Sequence, residues 1–257
     1  MVAAFLAAHD DPLLVTRGDV ERWVDGLLAR GLAPATVRLQ VAALKRFYAF
    51  LDDRELLPGR DPCARVKPPR RRRKPIEWLS PTEDAALYRA CMTRQERIVH
   101  ALLRYAGVRV SEACSILQGD VDLARGELRV RASKTDSGLR TVPVLPELAV
   151  ELEAWQALLS ERGLRDPRLP VLVTAHRTPM KTGFAWRLVK RCAARAGVKA
   201  SPHTLRRTFG SDLINRGVRA ETVARVLGHA DVRTTLESYA ELLDSTVRDE
   251  ILRAAAS

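Results

Sequence analysis

Ten consecutive residues divide this chain. The stretch Lys67-Pro-Pro-Arg70-Arg71-Arg72-Arg73-Lys74-Pro-Ile76 holds three prolines, six basic side chains and no acid. Proline fixes φ, lacks an amide donor and keeps the residue before it out of the α conformation, so no helix runs through such a stretch. The chain is therefore expected to fold as two bodies, 1–66 and 77–257, joined by an extended strap over 67–76. Charge is distributed as unevenly. Residues 1–66 carry 9 basic and 9 acidic side chains and residues 77–257 carry 28 and 22, so half of the net +12 sits in the strap. A segment that touches a polyanion has this pattern, and a solvated basic linker is the alternative for such a run taken alone.

Composition narrows the class. Of 257 residues, 46% are apolar and 29% charged, as in a soluble globular protein. The apolar runs are shorter than the ~20 residues that span a bilayer, so no membrane association is expected. The start, Met1 to Asp10, has no basic leader and turns acidic at once, which argues against a signal peptide. Cys63, Cys91, Cys114 and Cys192 are scattered, with no close pair for a metal clip or redox motif. A reducing cytoplasm fits this usage.

Both bodies read as mainly helical. Thr16 to Asp19 resembles a capping box, followed by Val20, Trp23, Val24, Leu27 and Leu28 at helical spacing. Pro34 opens a second stripe of Val37, Val41, Leu44, Phe47, Tyr48 and Leu51. The first clear helix thus begins near residue 18. Beyond the strap, Ser80-Pro81-Thr82-Glu83 starts a helical pattern that reaches Tyr105, with a break near residue 93. The segments 126–131 and 139–144 alternate and are β-branched, which predicts a hairpin turning at Asp136 to Gly138. Helices are expected over 146–162 and 181–196, from Ser201, over 220–227 and over 236–253.

Five local features carry chemistry. Arg109 follows a glycine break at a helix start, with Glu112 three residues on, and an ion pair between them is the plain reading. Lys134 stands at the hairpin tip, where lysines are common. His203 and Arg206 share one helix face and can point at one object. Gly228 ends a helix and delivers His229, for which capping is the alternative. Tyr239, taken alone, reads as core, as do Tyr48, Tyr88 and Tyr105 on helical apolar faces.

In order and in flanking sequence these motifs resemble the catalytic domain of the tyrosine recombinases, the family of phage-type integrases and Xer-like recombinases, over about residues 100–242. Residues 1–66 then resemble that family's helical core-binding, DNA-binding domain. The resemblance implies a two-domain DNA clamp, mainly α with a small antiparallel β-sheet in the second domain. It implies an active site of Arg109, Lys134, His203, Arg206, His229 and Tyr239, with Glu112 behind them. Tyr239 would be the nucleophile, Arg109 and Arg206 the phosphate ligands, and Lys134 the general acid. His203 would be the acid–base partner of the tyrosine and His229 a phosphate donor.

The strap residues Lys67, Arg70, Arg71, Arg72, Arg73 and Lys74 would follow the DNA backbone, positioning without reading sequence. No cofactor or metal is expected, the arginines filling the role of a divalent ion. The implied function is site-specific recombination of double-stranded DNA through a 3′-phosphotyrosine and a Holliday junction, by a tetramer on DNA that is a monomer when free. A compact phage or mobile-element integrase fits best, with a chromosome-dimer resolvase as the other member of the class and an accessory directionality protein as a further partner. No arm-type domain is expected before residue 1. A type IB topoisomerase-like nicking enzyme and a non-enzymatic DNA-binding regulator are the competing classes, and the complete residue set argues against the regulator. After Tyr239, the residues Leu242, Leu243, Val247, Ile251 and Leu252 form an amphipathic pattern that would dock on a neighbouring subunit or on its own domain.

Overall fold

The computed structural model describes residues 2–70, 77–131, 139–236 and 238–239. Its chain divides into two compact units, Met1–Pro75 and Ile76–Ser257. The first unit is helical: α1 (Val2–Leu6), a 3-10 turn at Pro12–Leu14, α2 (Arg17–Ala29) and α3 (Pro34–Asp53). The Thr16 capping box forms, with Asp19 returning to the Thr16 amide. Val20, Val24 and Leu27 of α2 meet Val37, Val41, Leu44 and Tyr48 of α3 in one core. Tyr48 is fully buried and its hydroxyl donates to the Pro12 carbonyl at 2.8 Å. Helix α1 corrects the expectation that regular structure begins near residue 18. Its Phe5 packs on Trp23 with centroids 4.8 Å apart and the helix also meets α3, but at five residues it is too short to show a period.

The second unit is built around one buried helix. It contains α4 (Pro81–Arg89), α5 (Arg94–Tyr105), α6 (Val110–Ser115), β1 (Val121–Asp122), β2 (Glu127–Val130), β3 (Arg140–Pro143), α7 (Pro146–Glu161), α8 (Thr182–Ala196), α9 (Pro202–Asn215) and α10 (Ala220–Leu227). From Ile98 to Arg104 every residue of α5 is buried, because α7, α8 and α9 pack around it. A helix buried on all sides must pair its charges. Glu96 accepts from Arg195 at 2.7 Å and Arg191 at 3.1 Å, and Arg104 binds Asp84 at 2.7 Å and also Asp212. The break expected near residue 93 falls at 90–93, where Thr93 and Glu96 make a second capping box.

The strands form one antiparallel sheet in the order β1-β2-β3. Leu128 pairs with Val142 and Val130 with Arg140, so Val142 and Arg140 share the face turned to the core. The expected hairpin strands are present, and the turn between them lies outside the described residues, as does the chain after 239. Strand β1, two residues long, has no alternation that a sequence could reveal.

Candidate active site

Two glycines in the left-handed region set the frame. Gly107 (φ 60°) turns the chain from α5 into α6, and a Cβ there would lie 2.2 Å from the Phe209 ring. Gly228 (φ 64°) ends α10, and a Cβ there would lie 2.6 Å from the Arg140 guanidinium. Only glycine meets both demands, the dihedral and the space.

Around these turns three arginines from three elements converge. Arg109 caps α6: its amide donates to Glu112 Oε2 at 2.7 Å, its Nη1 to Oε1 at 2.7 Å and its Nη2 to the Gly228 carbonyl at 2.8 Å. Arg206, on α9, sends Nη1 to the Gly107 carbonyl at 2.6 Å and Nη2 to the Leu227 carbonyl. Arg140, the first residue of β3, sends Nε to the Val226 carbonyl at 2.7 Å and both terminal nitrogens to the Glu112 carboxylate, at 2.9 and 3.2 Å. The carbonyls of 226, 227 and 228 are those a helix leaves unpaired at its C-terminus, where its dipole is negative. Each is filled by a guanidinium.

Charge in the cluster is unbalanced, because three guanidiniums share the Glu112 carboxylate, with Arg206 at 3.8 Å. Burial pushes the Glu112 carboxyl up, but Arg140, the Arg109 amide and the Arg109 guanidinium outweigh it and hold the group at about 2. Arg206 is almost fully buried, and desolvation together with the charges of Arg109 and Arg140 lowers it to about 10, still protonated at neutral pH. Arg109 keeps 46% of its side chain exposed. The ion pair with Glu112 exists, and it orients an arginine that still faces solvent.

The histidines and the tyrosine complete the assembly. His229 follows Gly228 directly, and its Nδ1 lies 2.7 Å from the Thr235 hydroxyl. Desolvation, then Arg206 and Arg109, push its pKa down to about 4, so the ring is neutral at pH 7. His203 is exposed on the first turn of α9, where partial desolvation, Arg207, Arg206 and Arg109 lower its pKa. Tyr239 is 2% exposed and packs with Phe209, Ile214, Val223 and Leu227. Its hydroxyl donates to the Arg207 carbonyl at 3.3 Å, and a Cβ on Gly210 would lie 2.1 Å from it. Burial raises the phenol to about 12, against the opposing charges of Arg206 and Arg207. The phenol is therefore protonated and covered.

The structure thus gathers Arg109, Glu112, His203, Arg206, His229 and Tyr239 around the ends of α6, α9 and α10. Lys134, Arg71, Arg72, Arg73 and Lys74 lie outside the described residues. Lys67 and Arg70 are exposed on the first unit, where Arg38 Nη1 donates to the Pro69 carbonyl at 2.8 Å and ties the start of the strap to α3. Arg140 was missed by the sequence reading. Period-two alternation puts it on the same inward face as Val142, and an arginine on a core face is the signal that could have found it. Among the described residues no group of three His, Cys, Asp or Glu is placed to hold a metal, and no helix is long and apolar enough to cross a membrane.

Residues 77–246 match the phage integrase family. The chain belongs to the tyrosine recombinases. Among relatives of this recombinase, the tyrosine recombinase XerA of Thermococcus kodakarensis is 32% identical over 219 residues, covering 83% of this chain and 73% of that protein. The crystal structure of a XerA recombinase, 28% identical, superposes with a TM-score of 0.62 over 98% of this chain and 88% of that one. A lambda integrase tetramer bound to a Holliday junction shares the fold at 18% identity, with a TM-score of 0.76 over 92% of this chain and 70% of that one. The chain is thus an enzyme of the site-specific DNA recombinase class, and its mainly helical fold with a three-stranded antiparallel sheet is that of the family.

Proposed function

We propose that this recombinase cuts and rejoins duplex DNA through a 3′-phosphotyrosine. Tyr239 Oη attacks the scissile phosphorus as the bond to the 5′ oxygen breaks. The phenolic proton passes to His203, and Lys134 protonates the departing 5′ oxygen. Rejoining reverses each step with the 5′ hydroxyl of a partner strand, so a phosphodiester is conserved throughout and no water or cofactor is consumed. Arg109 and Arg206 take the charge that grows on the non-bridging oxygens, each contribution being about 3 kcal/mol on the scale of a lost oxyanion donor. His229 is neutral with Nδ1 against the Thr235 hydroxyl, and in the tautomer this reading assigns, Nδ1 accepts from Thr235 and the N–H on Nε2 serves the phosphate.

The observation that carries this reading is the meeting of Arg109 and Arg206 at one helix end, with the Tyr239 phenol over Gly210, one turn along α9 from Arg206. A protonated, covered phenol also means that cleavage waits on a movement of residue 239. Full recombination would take four protomers on two duplexes and pass through a Holliday junction, the first unit and the strap closing the clamp. A free monomer, an accessory directionality protein and a cytoplasmic setting belong to the same reading. The implied element is a compact phage or mobile-element integrase. The Xer names of its relatives favour the second reading, a chromosome-dimer resolvase.

The test uses nicked suicide duplexes drawn from DNA flanking the gene, with wild type and Tyr239→Phe side by side and label on either strand end. A complex that survives SDS, forms on the 3′-phosphate side and is lost in the Phe variant is the expected result. Tight binding by wild type without any such complex would refute it in favour of a DNA-binding regulator.

A further inference from the structure

Arg140 has no part in the chemistry above, yet its side chain is only 8% exposed and its guanidinium is engaged at Nε, Nη1 and Nη2. It grips the two oxygens of Glu112 at one end and the Val226 carbonyl at the other. Arg109 spans the same pair of anchors, from Glu112 to the Gly228 carbonyl. The two guanidiniums are two struts between one carboxylate and one helix end. We propose that Arg140 is a positioning residue, which fixes the plane of the Glu112 carboxylate and thereby the angle at which Arg109 meets the scissile phosphate. The proposal rests on the reading of Arg109 and Arg206 as phosphate ligands.

Two further observations separate this role from simple structural support. Arg140 occupies an inward strand position, level with Val142 on the core face, where an apolar side chain of similar volume usually stabilises as well or better. It also places a third cation beside Arg109 and Arg206 with one carboxylate between them, and the charges of Arg109 and Arg140 both bear unfavourably on Arg206. A cluster selected for stability alone would balance its charge. An excess of cations held rigid by a bidentate grip suits a site that receives an anion without rearranging. Gly228 contributes by leaving the room that the guanidinium occupies.

The experiment is a double-mutant cycle on single-turnover cleavage of the suicide duplex, with DNA affinity and Tm measured for every variant. Arg140→Gln is expected to slow cleavage at saturating DNA by about 100-fold, the loss that follows when a catalytic group is misplaced by about an ångström, while affinity for the duplex is retained. In a Glu112→Gln background the same change should cost no more than about twofold, since a strut to a missing carboxylate has nothing to hold. Arg140→Lys, a point charge without the planar fork, should recover Tm but only part of the rate. The proposal is overturned by a wild-type cleavage rate in Arg140→Gln, by additive losses in the cycle, or by a slower rate that merely follows weaker binding. Should Arg140→Gln not fold, full wild-type rate in Arg140→Lys overturns it equally. Wild type forming no Tyr239-linked complex on DNA that it binds would instead remove the reading beneath the proposal.

Discussion

Replacing Glu112 by glutamine keeps the shape of the side chain and removes the counter-charge of three guanidiniums. In the folded chain this carboxyl stands at about 2, against 4.5 when free. A difference of that size between the folded and unfolded states is worth about 3 kcal/mol of stability at neutral pH. Because the folded group is the more acidic, that stability is complete above pH 4.5 and is lost as pH falls through about 2. Glu112→Gln should therefore unfold about 3 kcal/mol more easily than wild type at pH 7, with the difference shrinking to about half by pH 3. Urea titration reports it through the fluorescence of Trp155, which is buried with its indole N–H on the Val171 carbonyl at 2.7 Å. A difference equally large at pH 3 and pH 7 would refute the electrostatic account, leaving hydrogen-bond geometry as the cause. A difference under about 1 kcal/mol at pH 7 would show that the guanidiniums repel one another too weakly to need the carboxylate.

Two other outcomes follow from the same geometry. Gly107→Ala combines a left-handed dihedral with a Cβ driven into the Phe209 ring, and should cost at least about 3 kcal/mol in urea unfolding; a variant within about 1 kcal/mol of wild type sinks the packing argument. His229 has its pKa pushed down to about 4 from 6.5, so its stabilising share is complete above pH 6.5 and falls by up to about 3 kcal/mol as pH drops towards and through 4. Thermal melts at pH 7 and pH 4.5 should show a smaller loss for His229→Gln than for wild type, and equal losses would contradict the burial of a neutral ring.

Much of this site is legible in the sequence, for a physical reason. Arg109, His203, Arg206 and His229 stand beside local punctuation, the Gly107 turn, the Ser201 cap and the Gly228 helix end, which fixes a side chain's direction within a few residues. The helices likewise announce themselves through capping boxes at Thr16 and Ser80. What escaped is non-local. Helix α1 holds by Phe5 against Trp23 and by packing on α3, and β1 exists because β2 lies beside it. Arg140 gains its meaning from Glu112 and Val226, 28 and 86 positions away. Nor does a motif containing Tyr239 reveal that its hydroxyl is turned onto the Arg207 carbonyl.

The guanidinium bonds at the end of α10 also bear on how the chain folds. They join residues 119, 86 and 21 positions apart, and Arg206 reaches a further 99 positions back to Gly107. Contacts of such separation repay their loop-closure entropy only once the intervening chain is in place. α6, β3, α9 and α10 must all have docked before Arg109, Arg140 and Arg206 can converge on the end of α10. A chain still emerging from synthesis, with Arg109 made and α9 and α10 not, would carry the first motif of the site and none of these long-range bonds. Competence to cut DNA is in this sense the last thing the catalytic unit acquires as it folds.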